Sequence, residues 1–311
     1  MEDYPATQLE FEQRFVTEEA CRQYVARLRW PDGFRCPRCD HGKAWDLRRG
    51  LYHCCACDYQ VSLTAGTIFQ DTRTPLRIWF RVIWAMTSQK HGVSALGIQK
   101  VLGLKRYETV WTWLHKLRTA MVRPGRDRLS GTVEVDETYI GGPEPGKRGR
   151  GAAGKSLVLI AVEDKGTALG RARLRLVPNA SADSLVPAVE ENVEPGSLVR
   201  TDGWGGYARL ASHGYGHRVV RQEAEVGDDL LPLVHRVAAL LKRWLVGTHQ
   251  GAVRPSHLAY YLDEFTFRFN RRTSRARGKL FYRLLQQAVA VEPVTADELR
   301  GNNRNRLPHN P

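Results

Sequence analysis

Three carboxylates within four residues mark the stretch Thr132–Gly142, which reads Thr-Val-Glu-Val-Asp-Glu-Thr-Tyr-Ile-Gly-Gly. Val133 and Val135 alternate with Glu134 and Asp136, the period-two pattern of a half-buried strand. On such a strand Glu134, Asp136 and Thr138 share one face, and Val133, Val135 and Glu137 share the other. An ionised carboxylate is costly to bury unpaired, so a cation or basic side chains should lie over the Glu134/Asp136 face. A surface strand with solvated acids is the competing reading. Another acid closes the apolar segment Ser197-Leu-Val-Arg-Thr-Asp202, which runs into Gly203-Trp-Gly-Gly-Tyr207. Two such carboxylates side by side favour a hard divalent cation, Mg²⁺ most simply, with phosphate oxygens completing its shell. A pair of such ions would activate an attacking hydroxyl and stabilise the leaving oxygen of an in-line displacement.

A second chemical cluster is made of sulfur. All six cysteines lie in the first 57 of 311 residues, at Cys21, Cys36, Cys39, Cys54, Cys55 and Cys57. The N-terminus is acidic, with no apolar core of a secretory signal, so the clustering points to metal rather than disulfides and the expected location is cytoplasmic. Cys36-Pro-Arg-Cys39 and Cys54-Cys-Ala-Cys57, with fourteen residues between Cys39 and Cys54, form two knuckles suited to a closed tetrahedral Zn²⁺ site. Such a site folds a ribbon and does not catalyse. Cys55 is read as a bystander and Cys21 as core. The loop between the knuckles carries His41, Lys43, Arg48 and Arg49, a surface suited to phosphate.

These residues need elements to hold them, on a chain whose unusual bulk property is its charge. The net charge is +14 and the pI about 9.8, which favours a polyanion, nucleic acid first, as partner. A hydrophobic fraction of 42% suits a protein with a sizeable core, and no apolar run approaches a bilayer span. Residues 8–30 read as one or two short helices. Pro75 opens a helix with Leu76, Trp79, Phe80, Val82, Ile83 and Met86 on a broad apolar face. After Gly92, Ala95–Leu102 and a helix holding Tyr107–Leu117 give the outline of a helix-turn-helix, with Lys105, Arg106, Glu108, Thr109 and Thr112 exposed toward DNA. From Thr132 the chain reads strand, glycine-rich basic loop, strand, strand, and then alternating helix and strand. The loop Gly141–Gly154 carries Lys147, Arg148 and Arg150 as a phosphate-contacting arm. Ser156–Val162, Arg171–Val177 and His217–Arg221 are expected strands; Asp183–Val193 and Pro232–Val246 are expected helices. Three antiparallel strands followed by helix–strand–helix–strand–helix form a ribonuclease-H-like α/β arrangement, which would set Asp136 beside Asp202.

The motifs Thr64-Ala-Gly-Thr-Ile-Phe69, Val133–Gly142, Thr201-Asp-Gly-Trp204, Leu240-Leu-Lys-Arg243, Gly247-Thr-His-Gln250 and Tyr261–Arg272 together resemble bacterial insertion-sequence transposases of the ISXO-like DDE branch. That family joins a zinc ribbon to a ribonuclease-H-like catalytic domain, and the resemblance covers most of the chain. It implies a domain order of an N-terminal helical segment (1–30), zinc ribbon (31–68), helix-turn-helix-like module (69–128), catalytic domain with basic C-terminal helices (129–292) and polar, disordered tail (293–311). It implies Mg²⁺ or Mn²⁺ at Asp136 and Asp202. The family's third position, often Glu or Asn, lies seven residues before a lysine; here that position before Lys242 is His235. Seven residues is almost two turns, so His235 and Lys242 share a helix face. A neutral imidazole can ligate a divalent ion, suiting Mn²⁺ better than Mg²⁺, or can act as a base or donor near the scissile phosphate. Asp228, Asp229 and Glu264 are rival third acids, and His249 is a further candidate near the site. Lys242 and Arg243 would meet phosphate, as would Arg271 and Arg272, while Phe265, Phe267 and Phe269 read as core. The implied activity is metal-dependent cleavage and strand transfer at the terminal inverted repeats of a mobile element. Its partners would be double-stranded DNA, from element ends and target, and further copies of the chain on that DNA, with no membrane. A DNA-binding regulator with an inactive nuclease-like domain and a stand-alone nuclease are the alternatives.

Overall fold

The computed structural model describes all residues except 1, 48–49, 124, 142–154, 167, 223–228, 252 and 302–311. Lys147, Arg148, Arg150, Arg48, Arg49, Asp228 and the end of the expected tail therefore lie outside the described residues. In chain order the elements are α1 (Gln8–Arg14), α2 (Glu18–Arg29), β1 (Ala44–Asp46), β2 (Leu51–Cys54), β3 (Gln60–Ser62), α3 (Leu76–Ser88), α4 (Ala95–Val101) and α5 (Tyr107–Thr119). There follow β4 (Thr132–Ile140), β5 (Ser156–Asp164), β6 (Leu169–Val177), α6 (Ala182–Asn192), β7 (Leu198–Thr201), β8 (Gly216–Val219), α7 (Pro232–His249), α8 (Leu258–Phe269), α9 (Arg277–Ala288) and α10 (Ala296–Leu299). The chain divides into two compact units, one of residues up to Arg123 together with those from Thr273, the other Pro124–Arg272.

The first unit is built on aromatic residues. Phe11 stacks on Trp84 at 4.6 Å, Phe15 meets Phe80 edge-on at 4.8 Å, and Phe281 sits edge-on to Phe11 and Phe80 at 5.4 and 5.5 Å. Each large ring buries much apolar area, and edge-on geometry adds to it. Phe281 is why the expected boundary at 292 differs from the observed one. α9 carries Leu280, Phe281, Leu284 and Leu285, all buried, into this core rather than extending the second unit. The polar tail expected from residue 293 also begins differently. Val294 and Leu299 are buried, and Thr295 with Glu298 closes a capping box that starts α10. In α5, Thr112 is buried with its hydroxyl on the Glu108 carbonyl, so it cannot face DNA as expected; Lys105, Arg106, Glu108 and Thr109 are exposed. The ribbon is a three-stranded antiparallel sheet, β1-β2-β3.

The second unit holds a five-stranded sheet in the order β6-β5-β4-β7-β8. β4, β5 and β6 are antiparallel neighbours, whereas β7 and β8 run parallel to β4. β5, Ser-Leu-Val-Leu-Ile-Ala-Val-Glu-Asp, is buried on both faces, as its unbroken apolar run requires. Val158, Ile160, Val162 and Leu174 pack under Val234, Val237, Leu241, Leu262 and Phe265 of α7 and α8. On the other face Val133, Val135, Leu159 and Val199 pack with Leu185 and Val189 of α6 and with Tyr207. Between β7 and β8 the expected helix is replaced by two 3-10 turns, Gly205–Tyr207 and Ala211–His213. Glycines at 203, 205, 206 and 214 leave too little helix-forming sequence there.

Candidate active site

β4 is the central strand, paired with β5 over eight registered positions from Val133↔Glu163 to Ile140↔Ser156. That register sends Glu134, Asp136 and Thr138 to the face covered by α7, and Glu137 to the opposite face. β7 runs parallel beside β4, pairing Glu134 with Arg200, and its end carries Asp202. Gly203 then turns the chain away with φ +87°, where a Cβ would stand 2.5 Å from Val219 Cγ1. Asp202 Oδ1 accepts the Trp204 N–H at 2.9 Å, which holds the carboxylate at this corner.

α7 brings the third group. His235 Nε2 lies 3.5 Å from Asp136 Oδ2, and His235 Nδ1 bonds Asp229 Oδ1 at 2.5 Å. Asp229, a rival third acid by sequence, is thus the partner of the histidine's other nitrogen. A carboxylate on one ring nitrogen orients the other, the arrangement found around metal-bound imidazoles. Burial, then Glu137, pushes the Asp136 carboxyl up to about 6, with Asp202 adding to the rise and His235 opposing it. Excess negative charge is therefore concentrated where a divalent ion would relieve it, and the donors are two carboxylates and an imidazole, so the residues fit such an ion.

Asp136 and His235 meet directly, and Asp202 lies near enough to act on Asp136 electrostatically. Among the described residues, though, only Cys36, Cys39, Cys54 and Cys57 bring three or more ligand atoms within 4.8 Å of one another. Their Sγ atoms are 3.7 Å apart for Cys36–Cys57 and 3.6 Å for Cys39–Cys54. A tetrahedron with Zn–S of about 2.3 Å has edges near 3.8 Å, so four thiolates here are positioned to hold zinc. Both knuckles use the same turn: Asp40 N–H donates to Cys36 O at 2.9 Å and Asp58 N–H to Cys54 O at 3.2 Å, with φ of 58° and 55° at the two aspartates. Cys21 is core and Cys55 is exposed.

Lys242 and Arg243 are exposed on α7, with Lys242 roughly 10 Å beyond His235 along the axis. His249 does not reach the site. It lies fourteen residues past His235, roughly 21 Å along the helix, and packs on Trp244 and Tyr261. Glu264 is buried within α8. Phe265, Phe267 and Phe269 are core. Arg271 lies over Phe267 and bonds its carbonyl; Arg272 lies over Phe269 and donates to the carbonyls of Phe269, Gly170 and Leu169. These two arginines fasten the end of α8, with Arg272 reaching β6 while remaining exposed.

The residue that sequence reading undervalued is Glu134. Its side chain is 1% exposed, and Oε2 accepts the N–H groups of Leu233 at 2.9 Å and Val234 at 3.2 Å. Its Oε1 lies 3.5 Å from Arg200 Nη1. The available signal was at α7, which opens Leu231-Pro232 with no residue able to cap it.

Comparison with known proteins places two segments of the chain. Residues 128–270 match the ISXO2-like transposase domain, and residues 16–60 match the transposase zinc-ribbon domain. The chain is also similar to an uncharacterized protein in transposable element ISH50 of Halobacterium salinarum, 28% identical over 291 residues covering 85% of this chain and 94% of that relative. The two matched segments stand in the order zinc ribbon, then transposase domain.

Proposed function

We propose that this chain is a transposase that binds the ends of a mobile element and carries out metal-dependent DNA cleavage and strand transfer at Asp136, Asp202 and His235. The observation that carries the reading is the approach of His235 on α7 to Asp136 on β4, with Asp202 alongside, inside the segment that matches a transposase domain. The strand order, with three antiparallel strands extended by two parallel ones, supports a ribonuclease-H-like assignment.

A divalent ion held by Asp136, Asp202 and His235 would supply an activated oxygen nucleophile and a stabilised leaving oxygen. The protein's own part is positioning and charge. Asp229 keeps the His235 ring turned so that Nε2 faces Asp136. Lys242, on the same helix face, stands where a phosphate running along α7 would need a cation, and Arg243 extends that charge. The same displacement serves water in the first step and a freed 3′-hydroxyl in the second, so one site suffices for both. α4 and α5 form the helix-turn-helix, presenting Lys105 and Arg106 to DNA, and zinc at the four cysteines holds the ribbon. Two element ends must be joined together, which calls for at least two copies of the chain on DNA.

The test is a nicking and joining assay on duplexes that carry the element ends, with Mg²⁺ or Mn²⁺. The parent protein is expected to yield 3′-hydroxyl nicks and joined products. Asp136→Ala and Asp202→Ala are expected to abolish both while leaving DNA binding intact. Binding without cleavage in either ion would overturn the proposal in favour of a DNA-binding regulator, the reading that a histidine in the third position favours. Nicks without joined products would point to a stand-alone nuclease.

A further inference from the structure

We propose that the two carboxylates flanking Asp136 are positioning residues: Glu134 sets the helix that carries His235, and Glu137 sets the turn that follows Asp202. This rests on the active-site reading given above. A strand that needed only Asp136 would be served by apolar neighbours, since burying a further carboxylate is costly. Both flanking acids are instead partnered, and each partner belongs to an element bearing another corner of the site.

Glu134 replaces a missing cap. α7 begins with Pro232 after Leu231, and its N-cap residue supplies no side-chain acceptor for the first free amides. Glu134 Oε2 takes those of Leu233 and Val234, the latter next to His235 in sequence. A buried anion at this end of the helix also meets the positive pole of its dipole. Through Oε1 the same side chain faces Arg200 on β7, the strand that leads into Asp202. Glu137, on the opposite face, accepts the Tyr207 hydroxyl at 2.8 Å. Tyr207 is fully buried at the end of the 3-10 turn Gly205–Tyr207, one turn past the Trp204 amide that bonds Asp202. One strand therefore measures out the whole site. Its central acid is the reacting corner, and the acids two residues before and one residue after it tether the elements bearing the other two.

The proposal is tested on the full chain by hydrogen exchange and by titration with Mn²⁺ alone, read by electron paramagnetic resonance. Glu134→Ala is expected to expose the Leu233 and Val234 amides to exchange and to weaken Mn²⁺ binding roughly 10- to 100-fold, the usual cost of losing a group that orients a ligand. Glu134→Gln keeps an acceptor for both amides, and Arg200 retains Asp164 at 3.3 Å, so this variant is expected to restore protection and most of the affinity. Tyr207→Phe removes one hydroxyl and is expected to loosen the Gly205–Tyr207 turn and weaken Mn²⁺ binding, with the α7 amides unchanged. In the cleavage assay all of these losses are expected in kcat, with KM for DNA held. Glu134→Gln losing Mn²⁺ as fully as Glu134→Ala while its amides stay protected would overturn the proposal, because Glu134 would then act as a ligand. Unchanged exchange and affinity in Glu134→Ala would overturn it as well. Failure of the underlying site shows separately, as Mn²⁺ binding and cleavage that survive Asp136→Ala.

Discussion

The ribbon collects its four thiolates from two copies of one turn, Cys36–Asp40 and Cys54–Asp58, whereas Asp136, Asp202 and His235 arrive from a strand, a loop and a helix far apart in the chain. The sulfur atoms already stand at metal-binding spacing. The oxygen and nitrogen donors do not converge in that way, and each is held by a different neighbour: Asp202 by Trp204, His235 by Asp229, and α7 by Glu134. A site whose task is to hold the fold can be closed and local. The site proposed at Asp136 would have to stay open to admit phosphate, so its geometry would depend on the surroundings rather than on the ligands themselves.

The largest expected effect tests the first half of that contrast. Stripping zinc with a strong chelator, or Cys39→Ser, should unfold the ribbon, since structural zinc contributes apparent free energies of about 10–16 kcal/mol in small zinc domains. Hydrogen exchange should report loss of protection across β1–β3 with β4 and β5 unchanged; a ribbon that keeps its protection without metal would break the comparison. At the open site the effects are smaller and depend on the ion. His235→Ala should cost about 100-fold in cleavage, while His235→Glu should retain activity and move the preference from Mn²⁺ toward Mg²⁺. If both variants match the parent in both ions, His235 is not a corner of the site. The smallest effect concerns charge without metal. Folded Asp136 keeps its proton up to about pH 6, against roughly 3.9 when unfolded, so folding takes up a proton between those values. Stability is therefore lost as pH rises through that window, and the deficit is complete above it. Asp136→Asn should raise metal-free stability by no more than about 3 kcal/mol at pH 8 and by nothing below about pH 3, measured by urea denaturation.

How well each part could be read from sequence follows the range of its interactions. The CxxC pairs and the alternation at Val133–Asp136 are local patterns, and both the ribbon and β4 follow from them. His235 is reached only through the family resemblance, which counts seven residues back from Lys242; no local pattern around it marks it. Glu134 could be assigned a face but not a partner, because Leu233 and Val234 are about 100 positions away and only the folded register brings them over it. Thr112 was misplaced because a threonine on an amphipathic helix can turn its hydroxyl back to the preceding turn, as it does onto Glu108, and enter the core. Arg271 and Arg272 read as phosphate ligands by charge alone, yet their guanidinium groups lie over aromatic rings and on backbone carbonyls. A helix that opens with Pro and lacks its own cap needs an acceptor from elsewhere: α7 takes Glu134, and α3, opened by Pro75, takes Glu18 on the amides of Leu76 and Arg77.

The placement of Phe281 among Phe11, Phe15 and Phe80 has a consequence for synthesis on the ribosome. The chain emerges from its N-terminus, and residues 124–272 have their complete complement of core side chains in hand before Leu280 and Phe281 have been translated. Until α9 appears, the first unit waits with part of its aromatic surface uncovered, the kind of exposure on which nascent chains aggregate or recruit chaperones. The unit that is begun first is finished last.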